Sequence, residues 1–358
     1  MAKVIVGMSG GVDSAVAAYL LKQQGYEVIG VTLRVWGSDE DGDSRCCEID
    51  EARRICNILD IRYHPHNCTE LFKECVVQPF VDSYLEGMTP NPCVECNRYV
   101  KWAKLMELAD IFQAEYVATG HYAFIDKLPN GRYTARKAVH AGKDQTYMLY
   151  KLTQEQLART LMPLGKYTKE EVRTIAEEAG LPCAHKEDSQ EICFVTEGRY
   201  SDFIGEHTDK PLPGEGDFVD AEGKILGRHK GIYQYTVGQR KGLGIALGHP
   251  AFVTRIDTAN NTVVLGTEEE LMCDSFFCRK VNFLSIPEPA EGEKIRCLAK
   301  ARYHQKERPA TVEMMQDGLI KVTLDEAVKG VSPGQSAVFY DEEGCVVGGG
   351  MIVRDQSC

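Results

Sequence analysis

Two kinds of reactive chemistry are written into this chain: a turn suited to phosphate and cysteines suited to sulfur or metal chemistry. The turn is Gly7-Met8-Ser9-Gly10-Gly11-Val12-Asp13-Ser14. Gly10 and Gly11 let the backbone approach an anion closely, and Ser9 and Ser14 add hydroxyl donors. An apolar run, Lys3-Val4-Ile5-Val6, precedes it, and a strong helix former, Ala15 to Leu21, follows. Strand, glycine turn and helix start together aim unpaired amide N–H groups at an anion. Neither G-x-x-x-x-G-K-[ST] nor G-x-G-x-x-G fits the stretch.

The run Thr89-Pro90-Asn91-Pro92-Cys93-Val94-Glu95-Cys96-Asn97 sets two thiols at C-x-x-C spacing just before a predicted helix. A helix N-terminus stabilises a thiolate, so the spacing predicts that Cys96 is a nucleophile near neutral pH. Pro90 and Pro92 stiffen the approach. A third thiol, Cys193, lies in the polar run from Lys186 to Phe194. With no second C-x-x-C, a tetrahedral zinc site would need a fourth ligand from elsewhere. A redox pair and plain buried cysteine are the other readings of these residues.

Positioning these groups requires a scaffold. Up to about residue 207, strand-like and helix-like runs alternate: strands at Tyr26 to Leu33, Tyr63 to His66 and Glu115 to His121. Helices are predicted at Glu48 to Leu59, Asn97 to Phe112 and Lys169 to Ala179. This alternation predicts a parallel α/β sheet whose ligands sit beyond the carboxyl ends of the strands. The Gly7 turn, Leu33 and Gly120-His121 all fall on that edge. From residue 208 the sequence becomes short β-prone runs, including a hairpin at Ala251–Asp257 and Thr262–Gly266. A catalytic domain at 1–207, a small β domain at 208–272 and a compact β barrel at 273–358 are expected.

A chain of 358 residues is long enough for such a core. No apolar run reaches bilayer length, and Met1-Ala2-Lys3-Val4 runs straight into a strand, so a cytoplasmic protein without a leader is expected. The 14 cysteines are then mostly small buried hydrophobes. A net charge of -12 argues against blanket nucleic-acid affinity. Local basic clusters remain, at Arg228 to Lys230, Arg240-Lys241 and Lys300 to Arg308, where Tyr303 lies among cations.

The Ser-Gly-Gly-x-Asp-Ser string resembles the pyrophosphate loop of ATP pyrophosphatases. With TPNPCVECN, TGHYA, AGKDQTYML, EDSQEICF, TVGQRKGLGI and ARYHQ, nearly the whole chain resembles the tRNA-specific 2-thiouridylases. That resemblance implies an adenine nucleotide hydrolase-like catalytic domain, a central β domain and a C-terminal barrel. It implies a tRNA-uridine 2-sulfurtransferase using ATP with Mg. Its target would be the wobble uridine in the anticodon stem-loop of tRNAs for Lys, Glu and Gln. Sulfur would come through a relay from a cysteine desulfurase, with neither DNA nor a membrane involved.

Residue by residue, the resemblance implies ATP binding by Gly7, Met8, Ser9, Gly10, Gly11, Val12, Asp13 and Ser14, with Leu33 and Gly120 beside the adenosine. Asp13 would position the metal or a loop amide. Asn91, Pro92 and Cys93 would line the target-base pocket. His121, Lys143, Asp144, Gln145, Arg302, Tyr303 and Gln335 would touch tRNA. Cys193 would carry a persulfide, and Cys96 would attack it or close a disulfide with Cys193. Many relatives carry aspartate, a proposed general acid/base, where this chain has Cys93. A thiol there has a higher ordinary pKa and opens a second scheme, a [4Fe-4S] cluster on Cys93, Cys96 and Cys193. Two further readings are a pyrophosphate-loop ligase or amidase acting on a small molecule, and a tRNA-binding protein whose loop is only structural.

Overall fold

The computed structural model describes residues 1–37, 46–186, 192–195 and 198–354. Its first layer is a parallel sheet built on β1 (Lys3–Gly7), β2 (Glu27–Arg34), β3 (Arg62–Asn67) and β4 (Tyr116–Ala118). The order is β3-β2-β1-β4, with the short strand Thr160–Leu161 on the far edge. Every neighbouring pair runs parallel. Val4, Ile5 and Val6 are fully buried, and their alternation explains why helices cover both faces. Val4 and Val6 pack with α1 (Val12–Gln23) and α2 (Cys46–Ile58). Ile5 points into a second core with Trp102, Leu105 and Tyr147. The expected stripe Ala52, Ile55 and Leu59 is buried in the first of these cores.

Strand order reverses between β1 and β4, and such a switch point opens a crevice beyond the strand ends. The Gly7 turn leaves β1 there, and Thr119-Gly120-His121 leaves β4 beside it. A four-stranded sheet follows, ordered 252–257, 262–266, 216–219 and 225–229. Six antiparallel strands then close a barrel between Met272 and Val353. Sequence patterning missed the helical run 69–85 and the hairpin Ala123–Lys127 with Tyr133–Lys137. The hairpin joins catalytic sheet to barrel: Arg132 donates to the carbonyls of Leu284 and Phe283, both at 2.8 Å, and Thr134 to that of Val346. The second core likewise mixes Trp102 and Tyr150 with Val338, Tyr340 and Val346 of the barrel.

The predicted helix at Asn97 to Phe112 is corrected. A helical turn, Pro92–Glu95, starts earlier with Asn91 as its cap, continues as a π-helical segment, Cys96–Trp102, and returns to α geometry at Ala103–Ile111. Among the described residues, no helix is long and apolar enough to cross a membrane.

Candidate active site

The phosphate-loop candidate is held by its own side chains. Ser14 Oγ accepts from the Ser9 amide at 3.2 Å and donates to the Gly11 carbonyl at 3.1 Å. Ser9 Oγ lies 3.2 Å from Ser14 Oγ and accepts from the Gly11 amide at 3.4 Å. Gly10 has φ +72°, a left-handed conformation that side chains disfavour. Gly11 caps α1 without any side-chain hydrogen bond to the helix start. The first amides of a twelve-residue helix are thus left for an anion. Thr32 steadies the loop by donating to the Met8 carbonyl at 2.8 Å.

Asp13 is tied into the protein by its side chain. Its carboxylate accepts from the Tyr122 hydroxyl at 2.7 Å and from Lys169 at 2.8 and 2.9 Å. An ammonium and a phenol thus brace Asp13 at the loop. Lys169 is buried at the first turn of Lys169–Glu178. The Thr168-to-Glu171 capping box marks that helix start in the sequence, but no local pattern shows the ion pair. Gly120 packs on the same place: a Cβ there would lie 2.7 Å from the Asp13 carbonyl carbon and the Ser14 nitrogen. Leu33 sits at the carboxyl end of β2, packed between two cores.

The thiols gather on the other side of the Gly120-His121 turn. Asn91 Oδ1 accepts from the Cys93 amide at 3.2 Å and sets the start of the turn. Asn97 Nδ2 donates to the Met148 carbonyl at 3.1 Å. Cys96 is buried with Cys68, Phe72, Val100 and Phe194. Phe194, itself buried, rests 5.1 Å from Phe80 and 5.5 Å from Phe72. That anchor places the exposed Cys193 beside the Cys96 core. The rest of its motif, Glu187 to Glu191, lies outside the described residues.

Burial sets the resting protonation of the expected nucleophile. Burial pushes the Cys96 thiol up to about 12, and negative charge on Cys193, Cys93 or Cys68 would raise it further, against the nearby Lys101. Cys96 stands past the first helical turn, so loss of water outweighs any help from the helix start. Cys93 is exposed yet crowded, and desolvation raises its thiol as well. The same crowding holds His121 down to about 3, neutral at physiological pH. Lys101 acts on all three groups and was not singled out from sequence. In an α-helix a residue five positions after Cys96 would point about 140° away from it. The π-helical segment brings it round.

Among the described residues, no three His, Cys, Asp or Glu side chains gather as a metal-ligand set.

The residues expected at tRNA divide into groups. Tyr303 donates to the Asp144 carbonyl at 3.0 Å, so the Lys143-Asp144-Gln145 turn and Arg302-Tyr303 meet. The Asp144 carboxylate, however, is buried, accepting from the Ala138 amide at 3.1 Å and Thr146 at 2.7 Å. It shapes the turn. Gln145 accepts from the Tyr122 amide at 3.0 Å. Arg302 donates to the Val237 carbonyl at 2.7 Å and to Ser332. Gln335 turns its amide nitrogen inward, donating to the carbonyls of Thr89 at 2.8 Å and Pro90 at 3.4 Å. His121 Nδ1 lies 2.8 Å from Thr119 Oγ1, and its ring is 5.4 Å from Trp102. The end of the π segment thus abuts the turn that packs on the phosphate loop.

Three family models match the chain in succession. Residues 2–197 match the tRNA methyl transferase HUP domain, 201–267 the tRNA methyl transferase PRC-barrel domain and 273–352 the Aminomethyltransferase beta-barrel domain. The tRNA-specific 2-thiouridylase MnmA of Lachnoclostridium phytofermentans is 50% identical, covering 99% of this chain and 100% of its own. That of Clostridioides difficile is 49% identical, covering 98% of each. That of Acetivibrio thermocellus is 50% identical, covering 98% of this chain and 99% of its own. A phosphate loop at the sheet crevice, a shared thiol site and half-identity to these relatives from end to end together establish that this chain belongs to the tRNA-specific 2-thiouridylase family.

Proposed function

We propose that this protein is a tRNA-uridine 2-sulfurtransferase that consumes MgATP and makes 2-thiouridine at the wobble position of tRNAs for Lys, Glu and Gln. The observation that carries the reading is the approach of Cys193 to Cys96 across 97 sequence positions, beside a turn that packs on the phosphate loop. A small-molecule ligase would need the loop but no such pair. Residues 1–207 would form the catalytic domain, with 208–272 and 273–358 as the β domain and barrel.

The uridine C2 oxygen attacks the α-phosphorus of MgATP, and pyrophosphate leaves into the Gly10-Gly11 turn. The oxygen is then part of a good leaving group. Cys193, loaded as a persulfide by a relay from a cysteine desulfurase, attacks C2 through its terminal sulfur, and AMP departs with the oxygen. Cys96 gives up its proton and attacks Cys193 Sγ. The bond between Cys193 and the transferred sulfur breaks, leaving thiouridine and a Cys96–Cys193 disulfide that an external thiol reduces. Cys96 begins as a neutral buried thiol, and Lys101 is the cation placed to favour its ionisation. Cys93 keeps its proton at neutral pH and serves the base pocket with Asn91 and Pro92 as a donor, not as a carboxylate-like base. Single-stranded anticodon bases splay cheaply into such a pocket.

The test is incubation with MgATP, unmodified tRNA, a cysteine desulfurase and cysteine, followed by nucleoside analysis. Thiolated uridine, formed with AMP, is expected. AMP made without RNA would favour the small-molecule ligase, and neither product would leave a tRNA-binding protein.

A further inference from the structure

A cavity of about 910 Å³ lies between the segment around Cys193, the loop from Gln234 to Gly242, and Arg302. That is near the top of the range of ligand pockets, about 300–1,000 Å³. Ile192 and Val195, on either side of Cys193, line one end. None of the catalytic steps above uses this space.

Its charge is out of keeping with the protein. The chain carries a net charge of -12, yet the described residues lining the groove include Arg199, Lys241 and Arg302 and no carboxylate. Lys241 is exposed and has no ion-pair partner among the described residues. Arg302 Nε is buried without a hydrogen-bond partner. Gln234, Gln239 and Tyr200 add uncharged polar groups to the walls. Described walls that combine cations with neutral donors fit a chain of phosphates better than a neutral peptide.

We propose that this groove is a phosphate track for the single-stranded nucleotides flanking the target uridine, with Lys241 and Arg199 as its solvent-side contacts and Arg302 at its base. The inference rests on the tRNA reading above and adds a site to it. RNA in this groove would run past Cys193.

The experiment compares Lys241→Glu with Lys224→Glu, an equal charge change at another exposed lysine of the same β region. An anticodon stem-loop RNA is titrated across a range of salt. Lys241→Glu is expected to weaken binding about tenfold and to flatten the salt slope by about 0.7, the value for one phosphate on a single strand. Lys224→Glu should bind as wild type does. Equal affinities for the two variants overturn the groove while leaving tRNA as substrate. Failure of wild type to bind this RNA overturns both. Persulfide loading of Cys193 by a cysteine desulfurase without RNA should be unchanged in Lys241→Glu. Slower loading with intact RNA affinity would assign the groove to the donor protein and overturn the phosphate track.

Discussion

The phosphate loop and the thiol site are built on opposite principles. The loop closes on itself: Ser9, Gly11 and Ser14 bond one another within five positions, and its strand and helix are its immediate neighbours in sequence. The thiol site closes only through distant chain. Cys96 needs Phe194 to bring Cys193 close, Met148 to hold Asn97, and the barrel's Gln335 to hold Thr89 and Pro90. A locally closed site is preformed wherever its strand and helix form. A site closed from afar inherits its geometry, and its proton affinities, from the packing around it.

The comparison breaks most sharply at the residue that reaches furthest. Cys193→Ser keeps the phosphate loop intact and removes the atom that carries sulfane sulfur. ATP consumption and tRNA binding should persist while thiolation falls by about three orders of magnitude or more. Mass spectrometry of wild type after treatment with a desulfurase and cysteine should find the added sulfur on Cys193. A serine variant that thiolates from that donor would remove Cys193 from the pathway.

Gly11→Ala strikes the local site in turn. Gly11 has φ -94°, which alanine adopts, and the new methyl would meet only Ser9 Oγ, at 3.4 Å. The fold should survive. The methyl would stand where phosphate approaches the backbone, and loss of that approach should slow adenylation about a hundredfold, the scale of one lost anion donor. Thiol alkylation should not change. Normal ATP–pyrophosphate exchange in this variant would show that nucleotide binds elsewhere.

This division also marks what could be read from sequence. Val4, Ile5 and Val6 and the glycine turn are local signals, and the sheet, its carboxyl edge and the loop followed from them. The hairpin expected at Ala251–Asp257 and Thr262–Gly266 was equally plain, against observed strands Phe252–Asp257 and Thr262–Gly266. What escaped depends on burial or on a partner far along the chain. Lys169 on Asp13 joins residues 156 positions apart. Asp144 reads as a surface acid until Thr146 and the Ala138 amide enclose it. Cys96 reads as a helix-start thiolate until the π-helical segment sets it inside a core. Motif spacing found the reactive residues, but solvent exclusion decides their protonation, and spacing carries no record of solvent.

Alkylation kinetics sharpen that last point. Cys93 is exposed and Cys96 is buried, three positions away. At pH 8, iodoacetamide should label Cys93 at least about tenfold faster than Cys96, because a thiol held near 12 is almost wholly protonated there. Labelling of Cys96 should rise with pH well above the ordinary thiol value of about 8.5. The same shift has a stability consequence. Between about 8.5 and about 12 an unfolded chain releases the Cys96 proton while the folded chain keeps it, so stability should fall as pH rises through that window. Equal labelling of the two thiols at pH 8 would place Cys96 outside the core.

The smallest expected effect tests whether the barrel sets the thiol site or only borders it. Gln335 reaches from the start of a barrel strand to the carbonyls of Thr89 and Pro90, just before Asn91 caps the turn bearing Cys93. The contact is reinforced where the Thr89 amide donates to the Pro333 carbonyl at 2.8 Å, and Gly334 packs too closely on Thr89 for a side chain. Gln335→Ala removes the side-chain bonds and leaves the backbone bond. The fold should lose about 1 kcal/mol, the usual net value of such a hydrogen bond. Because the lost bonds hold the segment that lines the base pocket, the thiolation rate constant should fall about threefold to tenfold, on the scale of that same energy. ATP–pyrophosphate exchange and the affinity for tRNA should stay near wild type. If affinity fell while the rate constant held, Gln335 would be an RNA contact after all, and the barrel would border the site without positioning it.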